Sequence, residues 1–224
     1  MMKYVTIIPA RGGSKRFPGK NIHEFLGKPL LAHSIEYSKV CSSVCHTYVS
    51  TDDEHIKEVG RKYGAEIIDR PEELASDFAT SADVMKNAVE QLITKGVEFD
   101  YVILLQATNP LRPKGLLDEA IKIIEGIKPD SLMTVNRSEL KLGKIIDNHF
   151  KPWNYHFGQR SQDLEPLYYE NGLLYISSKE LLLQGKITSE NMYPMVVNHI
   201  YGEVDIDTCE DMDYAEFVAK RYAE

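Results

Sequence analysis

Short β-rich runs alternate with amphipathic helical patterns along most of this chain, and that alternation restricts the possible folds more than any other feature. The runs are Tyr4 to Ile8, His46 to Ser50, Ala65 to Ile68, Tyr101 to Leu105 and Ser131 to Val135, with the composition of buried strands. Between them, apolar residues recur at helical spacing: Leu30, Leu31 and Ile35 after Pro29, Ile56 and Val59 ahead of Gly64, Val84, Ala88, Val89 and Leu92 ahead of Gly96, and Leu116, Leu117, Ala120, Ile121 and Ile124. Strand and helix in alternation, joined by short loops, require right-handed crossovers and a mostly parallel sheet covered on both faces. The expected fold class is α/β, with three α/β/α layers.

The alternation stops between Asn136 and Pro166, where the sequence turns polar and irregular and aromatic and basic residues interleave. This segment reads as an insertion in an otherwise single domain of 224 residues. Regularity returns with Gly172 to Ser177 as a strand, and the chain closes on an amphipathic helix carrying Met212, Ala215 and Val218.

A net charge of −8 makes a polynucleotide partner a poor expectation. Apolar stretches are too short to span a membrane, and residues 1–10 lack the long apolar core of an export signal. Cys41, Cys45 and Cys209 are an odd number in a chain too large to need disulfide staples, so reduced thiols and a cytoplasmic location are expected.

Against this acidic background, Arg11 to Lys20 (RGGSKRFPGK) holds four basic side chains and three glycines. It follows the first strand directly, and ligands of open α/β sheets bind beyond the carboxyl ends of strands. Glycines let several backbone N–H groups converge on one anion, while Arg and Lys add charge. A polyphosphate is the natural ligand, although neither the Walker nor the GxGxxG spacing is present. A solvated basic turn is the competing reading. The side chains of this loop, Lys20 among them, are expected to be exposed.

Near the other end, Glu203 to Asp213 (EVDIDTCEDMD) holds six carboxylates in eleven residues. In an extended segment Asp205 and Asp207 share one face and Ile206 the other. Two such carboxylates suit Mg²⁺, which keeps several waters and takes few protein ligands. Glu210, Asp211 and Asp213 are favourable charges for the first turn of the last helix. The pair alone is a weak signal, but with a basic phosphate loop it supplies both halves of a metal-nucleotide site.

The segment IIPARGGSKRFPGKN, Ile7 to Asn21, closely resembles the opening signature of the acylneuraminate cytidylyltransferases, the CMP-sialic acid synthetase family. The similarity continues, in the family's order, through STD at Ser50 to Asp52, RPEELASDFATS at Arg70 to Ser81, LLQATNPLR at Leu104 to Arg112, ENGLLYI at Glu170 to Ile176 and GEVDIDT at Gly202 to Thr208. The related octulosonate cytidylyltransferases share the PAR and PGK elements, but the GGSK spacer and Asn21 favour the acylneuraminate branch. The resemblance implies a nucleotide-diphospho-sugar transferase fold, a cytosolic homodimer whose insertion at 136–166 serves dimerisation, Mg²⁺, and transfer of CMP from CTP to a 2-keto sugar acid. It further implies that Arg11 and Lys20 are catalytic and that Arg11, Ser14, Lys20, Asn21, Arg70, Ala79 and Ser81 bind the nucleotide. Gln106, Arg160, Tyr169 and Asn171 would contact the sugar, and Asp205 and Asp207 the metal.

One departure concerns the sugar. Ser161 and Tyr169 stand where the family often carries arginines, and neither can form the bidentate pair that Arg makes with a carboxylate. Three readings stay open at this level: an N-acylneuraminate enzyme, an enzyme for another acid such as legionaminate, pseudaminate or an octulosonate, and a CTP-binding regulatory protein that has lost the sugar half.

Overall fold

The computed structural model describes residues 2–222. Its strands are β1 (Tyr4–Pro9), β2 (Glu24–Phe25), β3 (Lys28–Pro29), β4 (Val44–Thr51), β5 (Glu66–Asp69), β6 (Tyr101–Leu104), β7 (Ser131–Ser138), β8 (Gly143–Ile146), β9 (His149–Pro152), β10 (Leu167–Ser178) and β11 (Met192–Val196). The α-helices are α1 (Leu30–Val40), α2 (Glu54–Lys62), α3 (Ser81–Thr94), α4 (Leu116–Ile127), α5 (Lys179–Leu183) and α6 (Cys209–Arg221). Every strand and helix expected from the sequence is present.

Seven strands form one sheet in the order β11-β7-β10-β6-β1-β4-β5. All run the same way except β10, which is antiparallel to both β6 and β7. The late strand expected at Gly172 to Ser177 is therefore longer and reversed in direction, because it returns from the insertion rather than from a crossover helix.

Alternation along β1 sorts the core into two layers. Val5 and Ile7 pack with Met85, Val89 and Leu92 of α3, whereas Tyr4 and Ile8 face Leu31 and Ile35 of α1 and Leu117, Ile121 and Ile124 of α4. A third cluster joins Phe17 and Phe25 to Val204, Ile206, Met212, Ala215 and Val218. That cluster fastens the loop after β1 to the segment leading into α6, so the two charged motifs are neighbours because the apolar residues between and beside them share a core.

The stretch between β7 and β10 projects as a β8–β9 hairpin. Its turn residues Asp147 and Asn148 both have positive φ, as the favoured two-residue hairpin turns demand. Leu140, Ile145, Phe150, Trp153 and Phe157 on this arm are exposed, whereas Leu164, just before β10, is buried.

Candidate active site

The carboxyl ends of β1 and β6 open onto a cavity of about 350 Å³. Arg11, Ser14, Lys20 and Asn21 come to it from the loop after β1, Arg70 from the end of β5, Ser81 from the first turn of α3, Gln106 from beyond β6, and Asp205 and Asp207 from the segment before α6. Ala79 is not among the lining residues.

The loop is shaped by fixed contacts. The Gly12 N–H donates to Asp52 Oδ1 at 3.1 Å, and Asn21 Nδ2 donates to the Arg11 carbonyl at 3.0 Å. A side chain at Gly12 would strike Asp53, its Cβ falling 2.7 Å from Oδ2. Arg11 reaches across to the segment before α3, donating to the Ser76 carbonyl at 3.0 Å and pairing with Asp77 at 2.9 Å. Lys15 pairs with the same carboxylate, and the Asp77 carboxyl is held below its usual range, first by its bond to Lys15 and then by Arg11. Arg70 is buried and donates from Nη2 to the Ser50 carbonyl at 2.6 Å. Desolvation lowers its pKa to about 10, still a cation at neutral pH.

Lys20 corrects the expectation of an exposed loop. Its side chain is only 9% exposed, with Nζ donating to the Ile206 carbonyl at 2.8 Å and to Asp207 Oδ1 at 2.7 Å. Arg16 pairs with the other oxygen of Asp207. Burial works against the Asp207 charge, but its bonds and charge pairing with Lys20 and Arg16 prevail and hold its carboxyl low. Asp205 moves the other way: burial raises it, the Thr108 bond opposes the rise, and the neighbouring Asp207 charge adds to it. Ile206 is fully buried and its N–H donates to the Thr108 carbonyl at 2.9 Å, so the alternation anticipated from the sequence places both carboxylates on the cavity side.

This donor set suits a hard dication. Two carboxylates share one cavity, and a cation beside Asp205 would relieve the repulsion that Asp207 imposes on it. Among the described residues no three or more Asp, Glu, His or Cys side chains are grouped so as to hold a metal ion by themselves, so waters and ligand oxygens would complete the shell.

A second cavity of about 440 Å³ shares Gln106 and Asp205 with the first and continues along Tyr169, Glu170, Asn171 and Glu203. Its wall is a bulge in β10. Pairing with β7 shifts register between Glu170 and Tyr175, where Gly172 adopts φ +73°. A Cβ there would lie 2.8 Å from Asn109 Oδ1 and 3.0 Å from Gln106 Oε1. Buried Asn171 spends its side chain internally: Nδ2 donates to Asn136 Oδ1 at 2.8 Å, while Oδ1 accepts from Thr134 Oγ1 at 2.6 Å and from the Leu173 N–H at 3.1 Å. It braces the wall. Arg112, behind Gln106, is buried and donates to the Gln106 carbonyl at 2.8 Å, the Leu173 carbonyl at 2.7 Å and Ser34 Oγ at 3.0 Å.

Arg160 lies apart from both cavities, its guanidinium paired with Asp163 at 2.8 Å. Ser161 sits beside it in a short 3₁₀ turn, Ser161–Asp163. Contacts that the sequence reasoning did not assign include Asp52, Asp77, Arg16 and Glu203. Asp52 and Asp77 stand inside segments that carried the family resemblance, Arg16 inside the basic loop and Glu203 inside the acidic run, but which partner each would meet depends on contacts distant in sequence.

The family model described as cytidylyltransferase matches residues 5–223. The chain belongs to the cytidylyltransferase family. It is 34% identical to a pseudaminic acid cytidylyltransferase of Campylobacter jejuni over 98% of this chain and 97% of that one. It is 35% identical to a CMP-N,N'-diacetyllegionaminic acid synthase of Legionella pneumophila over 96% of this chain and 95% of that one. Among solved structures, a CMP:2-keto-3-deoxy-manno-octonic acid synthetase complexed with CTP superposes with a TM-score of 0.71, covering 98% of this chain and 99% of that one at 18% identity. The α/β nucleotidyltransferase architecture of the cytidylyltransferases is thus the fold of this chain, and the basic loop and the carboxylate pair lie at the carboxyl ends of its parallel strands.

Proposed function

We propose that the protein transfers CMP from CTP to the anomeric hydroxyl of a 2-keto sugar acid, giving a CMP-sugar and pyrophosphate. One observation carries the reading: a cation-lined cavity and an acidic, phenolic cavity meet at Gln106 and Asp205, which sets a triphosphate and an acceptor sugar end to end. The anomeric hydroxyl loses its proton to solvent as its oxygen bonds to the α-phosphorus and the bond from that phosphorus to the α–β bridging oxygen breaks, and pyrophosphate leaves.

Arg11, Ser14 and Lys20 bind the phosphates in this reading. A cation aimed at phosphoryl oxygens stabilises charge that develops in the transition state, commonly by ~3 kcal/mol. Asn21, Arg70 and Ser81 serve the nucleoside, where a buried donor left unpaired by the wrong base is costly. Asp205 and Asp207 would hold Mg²⁺. When bound, the ion would supply charge neutralisation and orientation at the α-phosphate. Asp205 stands at the seam of the cavities, within the reach of a group held in either.

The sugar acid of this reading is a nonulosonic acid other than N-acetylneuraminate. The Campylobacter jejuni and Legionella pneumophila relatives support that choice by their names, and so does Tyr169 at a position where carboxylate-binding arginine is common in the acylneuraminate branch. The assembly is a homodimer formed through the arm between β7 and β10. The exposed Ile145, Trp153 and Phe157 support it, because aromatic and aliphatic side chains are typical of interface cores. The three free thiols support a cytoplasmic setting.

Pyrophosphate release from CTP across pseudaminate, legionaminate, N-acetylneuraminate and an octulosonate tests the activity. Sugar-dependent release with CTP, with pseudaminate or legionaminate giving the highest kcat/KM, is expected. Release no faster than with CTP alone for every acid overturns the reading. Light scattering tests the assembly, and a monomer at high concentration rules the dimer out.

A further inference from the structure

We propose that Glu203 is a specificity-determining residue for the acceptor, taking a hydrogen bond from a hydroxyl or amide N–H on a part of the sugar remote from its anomeric end. This inference rests on the functional reading above and extends it to a residue that reading leaves without a role.

The second cavity is acidic. Glu170, Glu203 and Asp205 line it together with the phenols Tyr169 and Tyr175, and no Lys, Arg or His is among the described residues of its wall. Such a surface repels a carboxylate and welcomes donors. A 2-keto sugar acid carries its carboxylate and its attacking hydroxyl on the same carbon. Both must therefore lie at the seam, beside Gln106 and Asp205, close to the cations of the first cavity. The remaining carbons have only one direction to extend, along the wall toward Glu203.

Glu203 is prepared for a donor. Tyr169 Oη donates to its Oε1 at 2.5 Å, and Asn136 Nδ2 donates to the same oxygen at 3.1 Å. Desolvation, followed by the bond to Glu203, pushes the Tyr169 phenol up to about 12, so it stays protonated and remains the donor across the working range. Asn136 is itself buried and fixed by Asn171. Two bonds to Oε1 fix the carboxylate, while Oε2 has no partner among the described residues and is free to accept from a ligand in the cavity. Gly202 lets the backbone pass close: a Cβ there would lie 2.5 Å from Asn136 Oδ1, so the residue before Glu203 is restricted by the same network.

The experiment measures pyrophosphate release at saturating CTP with variable sugar acid for the wild type, Glu203→Gln, Glu203→Ala and Tyr169→Phe, with unfolding midpoints recorded for each. A charge-assisted bond contributes enough that Glu203→Gln should lower kcat/KM for the preferred sugar about ten- to hundredfold. The loss should lie in the sugar KM, with the CTP KM within about twofold of wild type. Tyr169→Phe, which removes one of the two bonds to Oε1, should move the sugar KM the same way by a smaller factor. A loss confined to N-acylated acids assigns the donor to an amide N–H, and a loss shared by an octulosonate assigns it to a hydroxyl. Folded Glu203→Gln and Glu203→Ala enzymes with sugar kcat/KM within about twofold of wild type overturn the inference, as does an equal rise in the CTP KM. A wild type that turns over no sugar acid is a different failure, since it removes the functional reading itself.

Discussion

The Lys20 ammonium lies 2.7 Å from Asp207 Oδ1 across 187 residues of sequence, joining the loop after β1 to the segment before α6. One side chain thus belongs to the phosphate-binding surface and to the framework that positions the carboxylates.

Lys20→Ala should consequently show two effects. Turnover at saturating CTP falls roughly a hundredfold through loss of transition-state charge stabilisation, and stability falls by about 1–2 kcal/mol through loss of the bonds to Asp207 and the Ile206 carbonyl. Single-turnover kinetics and urea titration separate them. Normal turnover in the variant would remove Lys20 from the chemistry.

Asp205→Asn and Asp207→Asn keep the shape of each side chain and remove the charge that a hard cation needs. Half-saturation by Mg²⁺ should rise roughly tenfold in each, while CTP binding measured without metal changes less. An unaltered Mg²⁺ titration in both variants would reduce the pair to an element of the entry to α6.

Gly172→Ala forces a side chain into the left-handed region and against Asn109 and Gln106. A destabilisation of about 1–2 kcal/mol from the backbone conformation is expected, together with a raised sugar KM as Gln106 shifts. An alanine variant with unchanged denaturation midpoint and sugar KM would show that the bulge can relax at no cost.

Arg112→Met removes the donor shared by the carbonyls of Gln106 and Leu173 and by Ser34. Leaving buried acceptors unpaired should lower stability by roughly 2–4 kcal/mol, and the activity of the folded fraction should fall because Gln106 loses its support. Retained stability in calorimetry would mean that water replaces the guanidinium.

His33 gives a pH signature. Burial lowers its pKa below 6.5, outweighing the bond between its Nε2 and the Phe25 carbonyl. In the window between the lowered folded value and the unfolded value the unfolded chain binds more protons, so stability falls as pH drops through it and levels off below. Urea unfolding at pH 7.5 and 5.5 should show this slope, and His33→Gln should reduce it. An identical slope in the variant would assign the pH dependence elsewhere.

Local pattern was enough to read most of the architecture. Tyr4 to Ile8 and the other parallel strands are apolar on both faces because helices cover both, and the helices carry one apolar stripe each, so periodicity alone distinguishes them. The direction of β10 was not legible, because Gly172 to Ser177 looks the same whether its partner runs with it or against it. Asp205 and Asp207 were legible through the strict alternation around Ile206. Lys20 was not: a lysine among glycines reads as solvated, and only the acceptors supplied by Ile206 and Asp207 make its burial possible. For Asn171 the sequence indicated the right place, but the arrangement of Thr134 and Asn136 on the neighbouring strand turns its side chain into a brace. Arg160 follows the arm away from the cavities, a displacement that depends on how the hairpin leaves the sheet.

β7 and β10 pair up to Ser138 and Leu167 at the base of the arm, and the same two strands carry Asn136, Tyr169 and Asn171 within a few residues of that base. The exposed apolar arm therefore springs from the ends of the two strands that carry the cavity's network, while its own β8–β9 pairing forms a separate sheet. Residues 139–142 and 153–166 join the hairpin to those strands, and Tyr169, which bonds Glu203, is the third residue of β10. Substitutions at the base of the arm should therefore register in the sugar KM as well as in whatever the arm's exposed face meets.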